Sequence, residues 1–241
     1  MNPVVDLILN HRSIRKFTSE RVPQVQLDAI LAAAQSASSS SFLQVTTILR
    51  VTDPALRAHL AVLAGEQPYV AEAAEFLVFC VDYHRHRAVA PDAMTGFTEQ
   101  LLIGAIDGAI MAQNALLAAQ SMGLGGVYIG GLRNHPDQVV EALALPQDVF
   151  PLFGLCLGHP AQIPERKPRL PRDLVVYENR YPERLDEALL TRYDAQMLAY
   201  YQHRSSNQKH QGWSGQIRRI LGKESRPFML ASLQKQGFLL K

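Results

Sequence analysis

Three stretches of this chain carry side chains able to hold an anion. The first is His11-Arg12-Ser13-Ile14-Arg15, with three potential cations and a hydroxyl inside five residues. Arginine presents a planar fork of donors that matches a phosphate, and serine adds a neutral donor. Cations at a helix end also complement the helix dipole, so the spacing alone leaves both accounts open. The second stretch is Lys167-Pro168-Arg169-Leu170-Pro171. Its prolines hold the backbone extended. In an extended chain residues two apart face the same way, so Lys167 and Arg169 are expected to form a two-pronged cationic clamp. A solvated basic loop has the same composition. The third is the glycine-rich run from Gly123 to Leu132, where glycines let backbone approach a planar ligand closely. It is not a dinucleotide fingerprint, because Tyr128 stands where the last glycine belongs and the run follows a helix into a strand.

Other chemistries lack their residues. There is no Gly-x-Ser-x-Gly elbow and no Walker A loop. His84-x-His86 would put two imidazoles on one face of a strand, but only Asp82 is at ligand spacing, so a surface pair is expected. No carboxylate pair suits glycoside chemistry. Arg218, Arg219 and Lys223 lack aromatic interleaving, and the net charge is only +2, so no nucleic-acid partner is expected. Cys80 and Cys156 each sit in an apolar run without Cys-x-x-Cys spacing. They read as buried reduced thiols, which fits a cytoplasmic protein. Met1–Asn10 has no basic segment before its apolar run, so no signal peptide is expected. Leu101–Ala119 is strongly apolar but contains Asp107, Gln113 and Asn114, and reads as a buried helix of a soluble protein, with no membrane partner.

These stretches need elements to position them. Hydrophobic periodicity and breaker residues predict helices at 3–9, 23–37, 54–64, 99–122, 136–145, 184–202, 213–221 and 224–237. Strands are predicted at 47–51, 76–81, 126–129 and 152–158. The order is no regular βαβ alternation, so an α+β fold with a mixed sheet is expected.

Two basic clamps, the serine run Ser38–Ser41 and the glycine-rich segment together suit a ligand with one anionic end and one flat, hydrogen-bonding end. Flavin mononucleotide has that form, and a flavin would carry the redox chemistry itself.

The ordered stretches HRSIRKFT (11–18), SASSSSFLQ (36–44), AEFLVFC (74–80), GLGGVYIGGLRN (123–134), PLFGLCLG (151–158), KPRLP (167–171) and KESRPF (223–228) span nearly the whole chain. On them the sequence resembles the nitroreductase / flavin reductase family, near its bacterial NADPH-dependent, oxygen-insensitive members. The resemblance implies a nitroreductase-like α+β fold, with a mixed, mostly antiparallel sheet flanked by helices, in an intertwined homodimer. The chain would be one domain over 1–241, with a helical excursion from about 184 embracing the partner. His11, Arg12, Ser13, Lys167 and Arg169 would hold the FMN phosphate and ribityl end, and Arg15 the pyrimidine edge. Ser39, Ser41 and Gln67 would reach the flavin from the partner subunit. Tyr128, Ile129, Gly130, Gly131 and Leu132 would line the ring, with the Gly130 N–H near N5. Arg204, with Lys209 as a second basic position, would hold the NADPH 2′-phosphate. The implied activity is ping-pong, two-electron reduction of nitroarenes and quinones by NADPH. Release of reduced FMN as a flavin reductase, or a non-catalytic flavin-binding module, are the alternatives.

Overall fold

The computed structural model describes residues 2–204 and 208–240. The chain forms two units, one of Met1–Pro164 with Arg226–Lys241, the other of Glu165–Ser225.

In the first unit the chain runs through α1 (Pro3–Leu9), α2 (Gln24–Gln35), β1 (Thr46–Arg50), α3 (Pro54–Leu63), α4 (Tyr69–Glu72) and β2 (Glu75–Asp82). It continues with α5 (His84–Val89), α6 (Thr98–Ser121), β3 (Gly125–Ile129), α7 (Pro136–Ala142) and β4 (Val149–Gly158). The strands order as β1-β2-β4-β3, each ladder antiparallel. Among the described residues the one parallel pairing is an isolated bridge between Ser13 and Gly126, outside these ladders. Every residue of β2 is buried, as expected for a central strand covered on both faces. Val78, Cys80 and Cys156 face a core with α3 and α7, while Leu77, Phe79 and Leu155 face one with α2 and α6. Both thiols are buried and unpaired. Burial pushes the Cys80 thiol up to about 12 and Cys156 up as well, so both stay protonated and unreactive at neutral pH.

Two expectations are corrected. His84 and His86 lie on helix α5, not on a strand, and residues two apart on a helix do not share a face. The Tyr83 amide bonded to the Asp148 carbonyl at 2.8 Å, and the Arg87–Asp148 ion pair at 2.9 Å, hold this turn. Helix α6 is long and apolar enough to cross a membrane, but it is buried on one side only. Ala112, Ala115, Leu116 and Ala119 enter the core while Leu102, Ile106 and Ile110, spaced one helical turn apart, are exposed.

The second unit holds α8 (Glu187–Gln202) and α9 (Trp213–Leu221). Its core is small and aromatic, with Tyr193, Met197 and Tyr201 of α8 packed by Leu170, Tyr200 and Trp213. Asp194 ties the start of α9 to α8, accepting from the Ser214 amide at 2.6 Å and its hydroxyl at 3.0 Å. The chain then returns to the first unit through α10 (Met229–Lys235).

Candidate functional site

The basic segment 11–15 is seated on the start of β3. The Ile14 amide donates to the Gly126 carbonyl at 3.0 Å, and the buried Ile14 side chain lies over Gly125. A Cβ on Gly125 would overlap Ile14, and one on Gly126 would come within 2.7 Å of the Cys156 carbonyl oxygen. These two glycines therefore make room for the protein's own chain rather than for a ligand. Ile14 turned inward sends its neighbours outward, as alternation in an extended segment requires. His11 Nδ1 lies 3.0 Å from the Gln120 amide nitrogen, which ties it to α6. Among the described residues, none accepts a hydrogen bond from the buried Arg12 Nε. A buried donor left unmet costs about 1–3 kcal/mol, so this one points to an absent acceptor.

Arg15 is exposed. Its charge acts on the Tyr69 phenol. The Tyr69 hydroxyl donates to Gln67 Oε1 at 2.6 Å, and Gln67 Nε2 donates to the Ala64 carbonyl at 2.6 Å. Burial raises the Tyr69 phenol, with the Arg15 charge opposing, so Tyr69 keeps its proton. Gly131 closes the cluster. A Cβ there would overlap the Ala64 carbonyl oxygen and come within 2.5 Å of Gln67 Nε2. Gly130 differs, because a Cβ would meet only the Arg133 guanidinium, at 3.3 Å. Gly123, at the start of the run, has nothing within 4 Å of such a Cβ, and Gly130 has only this side-chain end near it. Arg133 donates to the Leu152 carbonyl. Arg226 donates through Nε and Nη2 to Asn134 Oδ1, at 3.1 and 2.8 Å. Burial lowers the Arg133 guanidinium, and the nearby Arg226 charge lowers it further. Two crowded cations thus flank Gly130.

The structure brings Arg15, Gln67, Gly130 and Gly131 into one cluster of a single chain. Gln67, expected to act across to a partner, lies beside Gly131 of its own chain. Tyr128 is partly exposed, bonded to Gln113 Oε1 at 3.1 Å and edge-on to Phe153. Burial raises its phenol to about 12. Ile129 and Leu132 give their side chains wholly to the core, so only their backbone is left to meet a ligand. Tyr69, Arg133 and Arg226 are members the sequence reading missed. The signals were Tyr69's position two residues from Gln67, and Arg226's place inside the matched KESRPF stretch.

Ser39 and Ser41 lie elsewhere in the same unit. The Ser39 hydroxyl donates to the buried Asp107 carboxylate at 2.7 Å and accepts from the Gln44 amide at 2.6 Å. Ser41, Phe42 and Gln44 all have positive φ, a costly cluster of left-handed residues of the kind found at functional loops. Ser39 and Asp107 line a cavity of about 720 Å³ that includes none of His11–Arg15, Gln67 or Gly130.

In the second unit, Lys167 and Arg169 run along α8. Lys167 Nζ sits 5.3 Å from the Tyr201 ring centroid. The intervening Pro168 carbonyl accepts from the Tyr193 hydroxyl at 3.1 Å, and the Arg169 charge acts on that phenol. Arg204 and Lys209 also lie over the Tyr201 ring, at 5.7 and 4.9 Å.

A seated basic segment with an unmet buried donor, beside an open glycine backbone flanked by arginines, defines a protein built to hold a flat ligand with an anionic tail. The comparisons name it more narrowly. The Nitroreductase family matches residues 8–159, and its C-terminal domain matches 167–241. The chain is 58% identical over 238 residues to an oxygen-insensitive NADPH nitroreductase of Salmonella typhimurium, covering 99% of each. It is 56% identical to an NADPH-flavin oxidoreductase of Vibrio harveyi, covering 98% of each. The crystal structure of nitroreductase A from Vibrio parahaemolyticus superposes with a TM-score of 0.95 at 54% identity, covering 100% of each chain. The chain belongs to the nitroreductase family.

Proposed function

We propose that this protein is an FMN-dependent oxidoreductase that takes two electrons from NADPH and passes them, in ping-pong order, to nitroarenes and quinones. The observation that carries this reading is the Tyr69–Gln67–Gly131 cluster beside the Gly130 backbone, with the Arg15 charge acting on Tyr69 and the unmet Arg12 Nε a few residues away in sequence. These residues fit FMN: an orphaned guanidinium for its phosphate, and bare backbone for its ring. Bound FMN supplies hydride acceptance and donation at N5. The chain's own residues bind and orient. His11, Arg12 and Ser13, with Lys167 and Arg169, hold the phosphate and ribityl end. Arg15 would place a positive charge at the pyrimidine edge, where charge fixed before reaction stabilises the anionic form. The Gly130 N–H would be the donor near N5, and Tyr128 and Gly131 would border the ring. Ser39 and Ser41 serve the site of a second copy.

The homodimer is part of the same reading. The exposed stripe Leu102, Ile106 and Ile110 on α6 is better explained by a second copy than by lipid, since Asp107 lies within the same helix and a charge there is costly in hydrocarbon. We place the protein in the cytoplasm, where its two buried thiols stay reduced.

A flavin reductase that supplies free reduced FMN is the second reading, favoured by near-equal identity to the Vibrio harveyi NADPH-flavin oxidoreductase. Steady-state turnover of nitrofurazone against free FMN separates the two. Fast nitro turnover is expected, and slow nitro turnover beside fast flavin turnover would reverse the order. Purified protein that stays colourless after addition of FMN would remove both.

A further inference from the structure

Three left-handed residues fall within four positions of the serine loop. Ser41, Phe42 and Gln44 have φ of 48°, 56° and 54°. None is a glycine, so each conformation is costly. Packing does little to offset this, because residues 40–44 are exposed, Phe42 to 78%. The loop's own backbone supplies two turn bonds, from the Phe42 amide to the Ser39 carbonyl at 3.1 Å and from the Leu43 amide to the Ser40 carbonyl at 2.9 Å.

The rest of its support comes from two helices. Asp107 stands on one side, 5% exposed in the middle of α6. Its Oδ2 accepts from the Ser39 hydroxyl at 2.7 Å and its Oδ1 from the Ser40 amide at 3.2 Å. With its proton directed at Asp107, the Ser39 hydroxyl accepts from the Gln44 amide at 2.6 Å. One carboxylate thus sets the Ser39 hydroxyl and, through it, closes the loop from 39 to 44. On the other side α5 takes the carbonyls. Arg85 Nη2 donates to those of Gln44 and Thr46 at 3.1 and 3.2 Å, and His86 Nε2 to that of Leu43 at 2.5 Å.

The two grips are unequal. The Arg85 side chain is 54% exposed, so water can replace its bonds. Asp107 is buried, and a buried carboxylate depends on the donors it accepts from. Among the described residues both of those donors belong to the loop. Helix α6 has little room to move the carboxylate elsewhere. A Cβ on Gly104 would overlap Val81, and one on Gly108 would come within 2.8 Å of Leu152 Cδ1. The loop needs the carboxylate to hold its shape, and the carboxylate needs the loop to stay buried.

We propose that Asp107 is the positioning residue of the serine loop, holding Ser39 and Ser41 in the left-handed arrangement in which they meet the flavin of a second copy. This rests on the reading that Ser39 and Ser41 serve that flavin. A carboxylate accepts from both loop donors at once. The amide of asparagine has a single acceptor oxygen and supports one bond well, while leucine supports neither.

The test uses the holoenzyme. Hydrogen exchange over residues 39–44, read by mass spectrometry, reports on the Ser40 and Gln44 amides. Free-FMN fluorescence on dilution gives the flavin affinity. Asp107→Asn is expected to speed that exchange about tenfold and to weaken FMN about tenfold, and Asp107→Leu to do more of both. Glu75→Gln is the control, because Glu75 is equally buried but paired with Arg50. It is expected to lower the thermal midpoint and to keep both readings within about twofold of wild type. If Glu75→Gln matches Asp107→Asn on both, the effect is a general loss of stability and the inference is overturned. If Asp107→Asn changes neither reading while Ser41→Ala weakens FMN, Asp107 does not position the loop and the flavin reading of the loop stands. If exchange rises but neither Asp107→Asn nor Ser41→Ala weakens FMN, the flavin reading fails and takes the inference with it. If Asp107→Asn fails to fold, Ser39→Ala replaces it. Exchange must then rise with Ser39→Ala and not with Ser41→Ala, and the opposite pattern overturns the inference.

Discussion

In the first unit the cations at 11–15 are positioned by backbone. Their segment bridges to β3 through the Ile14 amide, Ile14 fills the space above Gly125, and the Arg15 charge acts on Tyr69, which is tied through Gln67 to a main-chain carbonyl. In the second unit Lys167, Arg204 and Lys209 come from separate places in the sequence and share only the face of Tyr201. The first arrangement tolerates no added atom at its glycines. The second depends on an aromatic ring and has slack, because lysine and arginine stems are flexible. Anions held by main chain are thus sensitive to small side chains, and anions held by side chains are sensitive to the loss of a large one.

The strongest challenge to this contrast is Gly125→Val. Its Cβ would overlap Ile14, and overpacking of this kind costs about 1–3 kcal/mol. Urea denaturation should show that loss, and the protein should purify without flavin colour. A stable yellow variant would mean the segment is not seated as described. Next in size is Arg15→Ala, expected to slow reduction by NADPH about 10- to 100-fold in anaerobic stopped flow, with most FMN retained. The double change Lys167→Ala with Arg169→Ala should do the reverse and mainly release FMN. Equal effects on both steps would erase the division of roles. A smaller effect is expected from Tyr69→Phe, which removes the hydroxyl that lies in the Arg15 field and donates to Gln67, for a loss of about two- to threefold in the same rate. No change would show that this hydroxyl is not needed.

The smallest effect concerns the sheet that carries both β3 and its glycines. Cys80 is raised from its usual value of 9.0 to about 12 by burial. Below pH 9 the thiol is protonated whether the chain is folded or not. Above it the unfolded thiol ionises while the folded one keeps its proton, so stability falls as pH rises toward 12. Urea midpoints measured between pH 7 and pH 10 should decline, and Cys80→Ala should flatten part of that decline. An unchanged slope would mean that the thiol titrates freely.

Much of the frame could be read from the residues, because periodicity reports one-sided or full burial directly. Helix α6 and strand β2 were expected to within a residue at each end. Helix α5 was not, since His-Arg-His-Arg-Ala-Val has no apolar face and is held by contacts to Asp148, far away in sequence. Strand β4 begins at Val149, earlier than expected, because Pro151 reads as a breaker. The register shifts opposite Phe79 and Cys80, so Pro151 falls next to a bulge, where a ladder tolerates proline. The site was legible where its residues were neighbours, as at 11–15. It was illegible where the fold assembles it, as with Tyr69 under Arg15, Arg226 beside Gly130, or three distant cations on Tyr201. The glycine run is legible, but Gly125, Gly126 and Gly131 answer to the protein's own packing, while Gly123 and Gly130 do not.

The seating of Ile14 on the glycine pair bears on portability. His-Arg-Ser-Ile-Arg is not a linear tag that can be grafted elsewhere to create a flavin grip. A graft must carry a strand opening on two adjacent glycines, the second offering its carbonyl to the isoleucine amide. A search for such sites in other sequences should therefore pair the basic motif with a double glycine just after a long apolar helix, and reject basic motifs found without it.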